Sequence, residues 1–153
     1  MCTILIVYHT QTGNTRLMAE AVAKGARCIE HVRVSLKKAM DAGVDDLLHC
    51  QGIAFGSPEY FGYMAGMMKD FFDRTYEAAR GRKEIFKKPY VAFISAGNDG
   101  AGALTSIERI CRGYPLRKVQ DPVIARGVIN QKILSECETL GKTIAAGCEA
   151  GIY

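Results

Sequence analysis

Residues 3–15 of the chain read TILIVYHTQTGNT. The first half, residues 3–8, is a short apolar run whose β-branched residues predict a strand buried on both faces. The second half carries Thr10, Thr12 and Thr15 around a single glycine, directly before a helical pattern. A turn from a strand into a helix N-terminus exposes backbone N–H groups that attract an anion. Because the turn has no lysine or arginine, we expect it to bind a phosphate group through neutral donors; the alternative is an ordinary capped turn without a ligand.

The rest of the chain alternates between short apolar runs and helical patterns. The further runs predict strands at residues 31–35, 52–56, 90–95 and 122–129. Helical patterns lie between and after them, at residues 103–112 among others, and residues 41–49 are expected to form a short helix or turn. Crossovers between parallel strands are right-handed and need the length of a helix. We therefore predict an α/β fold over residues 1–153, a single domain with one doubly wound, five-stranded parallel sheet.

The spacing of apolar residues predicts which faces of the helices are buried. In the first helix Leu17, Ala21 and Val22 share a face, and Asn14 or Thr15 could cap its N-terminus. A second pattern repeats at steps of three and four residues through Met64, Met67, Met68, Phe71, Phe72, Thr75 and Tyr76. Packing against the sheet explains this stripe better than contact with a cofactor. The last helix shows Ile133, Cys137, Leu140, Ile144 and Cys148.

Composition and charge narrow the function classes. The 153 residues carry a formal net charge of +4 and include six cysteines. No two cysteines form a C-x-x-C pair, so we interpret them as reduced core residues rather than a disulfide framework. The histidines show no metal-like spacing, and no metal site is expected. No pattern matches a nucleic-acid-binding module, and no apolar run approaches the roughly 20 residues of a membrane span.

Two further features concern location and docking. The N-terminus lacks the positively charged lead of a signal peptide, which favours a cytoplasmic location. The densest basic stretch is Arg80-Gly81-Arg82-Lys83, followed by Lys87 and Lys88. It is either a solvated loop and helix end, or a docking patch for an acidic partner or a nucleotide phosphate.

A doubly wound sheet binds its ligand beyond the carboxyl ends of its strands, at the switch in strand order. The segments after the third and fourth predicted strands are therefore candidates. Residues 56–64 read GSPEYFGYM, whose aromatic rings could stack on a planar ligand or simply cover the end of the sheet. Residues 95–102 read SAGNDGAG, a glycine-rich wall that a flat ring could approach closely, or a mobile loop without a ligand.

These motifs resemble those of the flavodoxin family. Residues 10–15 are similar to its FMN phosphate-binding signature, in which a hydroxyl residue and any residue precede Thr-Gly-Asn-Thr. Residues 57–64, with MKDFFD at 68–73, are more similar to the NAD(P)H:quinone oxidoreductase branch. That branch has Pro-x-x-Phe-Gly-x-Met followed by Met-Lys-x-Phe-Leu-Asp. The third segment departs from both groups, because it has no aromatic residue, no histidine and only Asp99 as a charged residue.

The resemblance implies a three-layer flavodoxin-like sandwich with strand order 2-1-3-4-5 and one non-covalently bound FMN. It implies contacts to FMN from three segments, which comprise Thr10, Gln11, Thr12, Gly13, Asn14, Thr15, Ser57, Pro58, Glu59, Tyr60, Phe61, Gly62, Tyr63, Ala96, Gly97, Asn98, Asp99 and Gly100. No catalytic acid or base is expected, because the cofactor carries the redox chemistry. Glu59 and Asp99 are the carboxylates best placed to act on it.

Two functions are compatible with these motifs. The first is a one-electron carrier that docks with redox partner proteins, which the short chain favours. The second is an enzyme that takes hydride from NAD(P)H and reduces quinones or related acceptors. The sequence of residues 57–64 favours the enzyme, and so does the charge of +4, because flavodoxins that carry electrons are usually strongly acidic. We place the carrier first, and the oligomeric state stays open.

Overall fold

In a computed structural model that describes residues 1–153, seven strands and five helices follow one another along the chain. The strands are β1 (Cys2–Tyr8), β2 (Val32–Lys38), β3 (Gly52–Tyr60), β4 (Tyr63–Met64), β5 (Pro89–Ala96), β6 (Arg117–Lys118) and β7 (Val123–Arg126). The helices are α1 (Asn14–Arg27), α2 (Val44–His49), α3 (Gly66–Ala79), α4 (Ala101–Gly113) and α5 (Gln131–Glu149).

The strands form one sheet in the order β2-β1-β3-β5, and both β6 and β7 pair with β5 at its outer edge. All of these pairings are parallel, whereas β4 pairs antiparallel with the end of β3. Numbered as predicted, the five main strands have the order 2-1-3-4-5, which confirms the doubly wound sheet. The strand count was wrong by two, because β4 and β6 are two-residue segments too short to give a periodic signal.

Side-chain alternation along the strands produces a hydrophobic core on each face of the sheet. From β1, Ile4 and Ile6 pack with α1 and α5, whereas Leu5 and Val7 pack with α2, α3 and α4. These four side chains are almost completely buried. Because β1 and β5 are covered on both faces, their sequences are mostly apolar, whereas the edge strand β2 carries Arg33, Lys37 and Lys38. The three-layer arrangement is therefore confirmed.

The helix boundaries correct two details of the sequence analysis. Gly13, with φ of 103°, is the N-cap of α1, so neither Asn14 nor Thr15 caps this helix. Ala21 and Val22 are buried as predicted, whereas Leu17 is 42% exposed and Met18 and Ala19 are buried in its place. The buried face of this helix therefore lies one position away from Leu17 in its first turns.

The methionine stripe lies in the core, as predicted. Met64 and Met68 are buried among the residues below α3 and α4, and Met67 packs against the same cluster. Only the start of the helix differs, because Met64 belongs to β4 and α3 begins at Gly66. No helix in the chain combines the length and the apolarity that a membrane crossing requires.

The basic stretch 80–83 lies at the opposite end of the sheet from the turn at residues 10–15. It follows the C-terminus of α3 and precedes β5, whose carboxyl end faces the ligand edge. The eight residues of β5 separate the two ends by roughly 25 Å. Arg80 and Arg82 pair with Glu77 and Glu84, and Lys88 is buried. The basic stretch is therefore too far away to contact a ligand bound at the turn of residues 10–15.

Candidate functional site

A cleft of about 530 Å³ opens at the carboxyl ends of β1, β3, β5 and β7. This volume lies within the range of roughly 300–1,000 Å³ that is usual for small-molecule sites. Its lining residues are Thr10, Gln11, Thr12, Asn14, Thr15, Pro58, Glu59, Tyr60, Ser95, Ala96, Gly97, Gly127 and Val128. The strand order reverses at β1 and β3, so the cleft lies where a doubly wound sheet binds its ligand.

One end of the cleft is an array of hydrogen-bond donors. The turn is folded by the Gly13 N–H, which donates to Thr10 Oγ1 over 3.1 Å. The backbone N–H groups of residues 10–12 and 14–16 donate to no atom of the protein. The dipole of α1 adds positive potential at the same point. Burial, followed by nearby Lys38, lowers the pKa of His9, so His9 at this edge is neutral at pH 7.

A buried pair of hydroxyl groups attaches this turn to the sheet. Thr15 Oγ1 and Ser95 Oγ lie 2.8 Å apart, and both side chains are almost fully buried. Since Thr15 lies in the first turn of α1 and Ser95 near the end of β5, the contact fixes the donor array relative to the opposite wall of the cleft.

The second predicted segment is a β-hairpin rather than a loop. β3 continues to Tyr60, four residues past its predicted end, and Tyr60 pairs with Tyr63 of β4. The two-residue tip, Phe61-Gly62, has φ angles of 53° and 70°, as a type I′ turn requires. Period-2 patterning did not reveal the extension, because Ser57-Pro58-Glu59 contains residues that are rare in strands.

The hairpin separates its aromatic residues. The half-buried ring of Tyr60 lines the cleft and meets His9 edge-on, with 6.3 Å between ring centroids. Phe61 is fully exposed at the tip, and Tyr63 points away from the cleft and is 43% exposed. Tyr60 is therefore the only aromatic wall of the cleft that this segment provides.

The two carboxylates that the sequence singled out both accept hydrogen bonds from the first turn of α4. Glu59 Oε1 accepts from the Gly100 N–H over 3.3 Å, and Oε2 accepts from the Ala103 N–H over 3.1 Å. Asp99 Oδ1 accepts from the Ala101 N–H over 2.9 Å. The positive end of the helix dipole offsets both charges. Glu59 still lines the cleft, whereas Asp99 is exposed outside it.

The structure brings ten of the eighteen predicted contact residues into the cleft lining. The other eight predicted residues do not line the cleft. Gly13 shapes the turn, and Gly100 is the N-cap of α4. Ser57 is buried beneath the hairpin, where its hydroxyl accepts from the Ala65 N–H. Phe61, Gly62, Tyr63, Asn98 and Asp99 lie outside the lining.

Ser95, Gly127 and Val128 line the cleft but are not among the predicted contact residues. Ser95 belongs both to the predicted strand 90–95 and to the candidate segment 95–102, and in the structure it lies near the end of β5. Residues 127 and 128 were placed inside a strand at 122–129, but β7 ends at Arg126. Gly127, with φ of 82°, leaves the sheet there and carries Val128 to the rim of the cleft. A glycine near the end of the last strand was the available signal.

The chemistry of the lining fits FMN. The donor array holds no carboxylate and no protein partner, which suits a phosphate dianion. The other end of the cleft is lined by residues with small or no side chains, Ala96, Gly97 and Gly127, beside the ring of Tyr60. The unbonded N–H groups of residues 97–99 offer donors to the polar edge of a planar ring.

Comparison with known proteins gives consistent results. The family described as NADPH-dependent FMN reductase matches residues 18–120. A flavodoxin of Aquifex aeolicus (strain VF5) is 43% identical over 99 residues, covering 65% of this chain and 52% of that protein. An NAD(P)H dehydrogenase (quinone) of Acidithiobacillus ferrooxidans is 32% identical over 127 residues, covering 70% of this chain and 63% of that protein. The chain thus spans less than two thirds of the length of these curated relatives.

Among solved structures, a flavodoxin from the domain Archaea superimposes with a TM-score of 0.82. It is 28% identical to this chain, and the superposition covers 96% of this chain and 99% of that one. The flavodoxin-like fold inferred from residues 10–15 is therefore confirmed over nearly the whole chain.

Proposed function

We propose a function for this chain from the premise that it belongs to the NADPH-dependent FMN reductase family. Residues 1–153 form one FMN-binding redox domain, with the cofactor in the cleft at the carboxyl ends of the strands. The observation that carries this proposal is the array of unbonded N–H groups at residues 10–12 and 14–16, opposite a flat wall of small residues. FMN, the cofactor predicted from the sequence, is also the one that the family indicates.

The reaction we propose is electron transfer from NADPH to an acceptor such as a quinone. NADPH gives up a hydride, the acceptor gains two electrons and two protons, and the second proton comes from solvent. Bound FMN would supply the redox centre for this exchange. The chain would contribute binding and orientation: the turn at residues 10–15 would hold the phosphate, and Tyr60 and Gly97 would border the ring. Glu59 fixes the hairpin to α4.

The electrostatics of the cleft favour the reductase over the carrier. An acidic rim guides electron carriers to basic partners. Here Glu59 and Asp99 are both held at the N-terminus of α4, and the chain has a net charge of +4. A cytoplasmic location belongs to the same proposal, because all six cysteines are free thiols, as is usual in a reducing compartment.

A one-electron carrier that serves redox partner proteins is the second candidate. The 43% identity with a flavodoxin favours it. The two functions differ in one respect that can be measured, namely whether a nicotinamide nucleotide reduces the loaded protein.

The test is an anaerobic spectral titration of the FMN-loaded protein, with NADPH and NADH added before dithionite. Free FMN at the same concentration is the control. We expect NADPH to bleach the flavin absorbance much faster than in the control. Inertness to both nucleotides, with two separate one-electron steps on dithionite addition, would establish the carrier instead. Failure to bind FMN would overturn both candidates.

A further inference from the structure

A second cavity, of about 490 Å³, lies on the other side of the β3–β4 hairpin. Its walls are the hairpin, through Gly62 and Tyr63, and the outer face of α4, through Gly102, Thr105 and Arg109. A Cβ atom at Gly102 would lie only 2.0 Å from the Gly62 carbonyl oxygen, so the hairpin tip rests directly on the first turn of α4. The cavity is thus separated from the FMN cleft by the width of the hairpin alone.

Arg109 gives this cavity the chemistry of an anion site. It is the single charged residue of the lining, and it forms no salt bridge. Glu108, its neighbour in the chain, is already paired with Lys118, and no carboxylate lines the cavity. Thr105 and Tyr63 add a hydroxyl donor each. The planar fork of a guanidinium matches the oxygens of a phosphate group.

Phe61 is the second, independent observation. Its ring is fully exposed at the hairpin tip, although a phenylalanine at a φ of 53° is an unfavourable choice for that turn. Asn-Gly is the usual sequence of such a turn, so neither turn formation nor packing accounts for this aromatic ring. An exposed ring beside a phosphate site can stack on a nucleobase.

We propose that this second cavity binds the adenosine half of NADPH, with Arg109 contacting the 2′-phosphate and Phe61 stacking on the adenine. The inference rests on the proposed function, because it names the part of the chain that recognises the reductant. Arg109 lies eight residues along α4 from Ala101, about 12 Å from the helix start. An extended dinucleotide reaching from the cleft over the hairpin tip would present its distal phosphate there. The 2′-phosphate distinguishes NADPH from NADH, so Arg109 would set the preference for NADPH.

The test is calorimetric titration of the FMN-loaded protein with adenosine 2′,5′-bisphosphate and with 5′-AMP, which differ only in the 2′-phosphate. We expect the bisphosphate to bind about tenfold more tightly or better, as one charge-assisted contact provides. Arg109→Gln should remove this preference. Arg112→Gln is the matched control, because Arg112 is also exposed and unpaired on α4 but lies outside the cavity; it should keep the preference.

A third variant, Phe61→Asn, tests the stacking contact without disturbing the turn. Asparagine tolerates a positive φ and forms Asn-Gly hairpins readily. We expect the affinities for both nucleotides to fall by the same factor, while the affinity for FMN is retained. If Phe61→Asn binds both nucleotides as tightly as the original protein does, Phe61 does not stack on the adenine.

The outcomes separate this inference from the proposed function. If FMN binds and NADPH reduces it, but the two nucleotides bind equally or Arg109→Gln keeps the preference, the second cavity is not the 2′-phosphate site. In that case the proposed function stands. If FMN does not bind, or NADPH does not reduce the loaded protein, both proposals fall.

Discussion

At the scale of single residues, the hydroxyl groups of the turn at residues 10–15 differ in whether the protein itself uses them. Thr15 is buried and pairs with Ser95 across the cleft, so its hydroxyl is structural. Thr12 is exposed in the cleft lining, so its hydroxyl is free for a ligand. The sequence TQTGNT predicted a phosphate site but could not distinguish these two hydroxyl groups, because the partner of Thr15 lies 80 residues away.

This difference gives a prediction with a matched pair of variants. Thr12→Val should leave the free energy of unfolding within about 0.5 kcal/mol of the original and weaken FMN binding by about tenfold. Thr15→Val should lower the free energy of unfolding by about 1–2 kcal/mol, because Ser95 loses its partner in a buried position. Urea unfolding of the apoprotein and fluorescence titration with FMN measure the two effects. Full FMN occupancy of Thr12→Val at nanomolar protein would contradict the assignment.

At the scale of elements, the two faces of the sheet are covered in different ways. α1 and α5 cross in direct contact, because Gly25 and Gly141 each face a backbone carbonyl of the opposite helix. On the other face α3 and α4 diverge, and a groove of about 350 Å³ lies between them above Phe72 and Tyr114. Helical periodicity predicted all four helices but not how closely each pair approaches, because that depends on small residues meeting across a crossing.

The close crossing predicts a strong effect of one methyl group. A Cβ atom at Gly141 would lie 1.9 Å from the Val22 carbonyl oxygen. Gly141→Ala should therefore force α1 and α5 apart and destabilise the protein by about 1–3 kcal/mol or more. The control is Gly66→Ala in α3, where a Cβ atom would have no neighbour within 4 Å. We expect it to be neutral or to stabilise by up to about 1 kcal/mol. Thermal and urea unfolding of both variants measure these changes. A Gly141→Ala variant with the stability of the original protein would contradict the close contact between α1 and α5.

At the scale of the whole molecule, the two cores enclose acidic groups that must stay protonated. Burial raises the pKa of Cys50 to about 11. It raises the pKa values of Cys137, Cys148 and Tyr114 to about 12. The folded state therefore holds these protons more tightly than the unfolded chain does. The contribution of these protonated groups to the stability of the fold is complete below the ordinary thiol pKa of 9.0. It is lost as the pH rises through their pKa values in the folded state.

We accordingly expect the free energy of unfolding to fall between about pH 9 and pH 11. Burial lowers the pKa of Lys88, so this residue makes the free energy of unfolding rise with pH. Its effect is smaller than the combined effect of the buried thiols and Tyr114, because it is a single group. Urea unfolding midpoints at pH 8, 9.5 and 11, measured with a reductant, give the slope. Cys50→Ala should reduce that slope, whereas Cys28→Ala should not, because Cys28 is exposed. A flat profile up to pH 11 would be inconsistent with buried, protonated thiols.

The sequence by itself determined the α/β fold and the burial of the central strands on both faces, and the family resemblance of its motifs supplied the strand order. Burial follows from the periodicity of apolar residues, and the turn at residues 10–15 is folded by neighbours in the chain, Thr10 and Gly13. Only the tertiary structure decided that β3 continues through Pro58 into a hairpin, that Glu59 caps α4, and that Gly127 and Val128 complete the cleft. It also brought Arg109 into one cavity with Gly62 of the hairpin tip. Those contacts join residues far apart in sequence, and they form only when the strands bring their carboxyl ends to one edge.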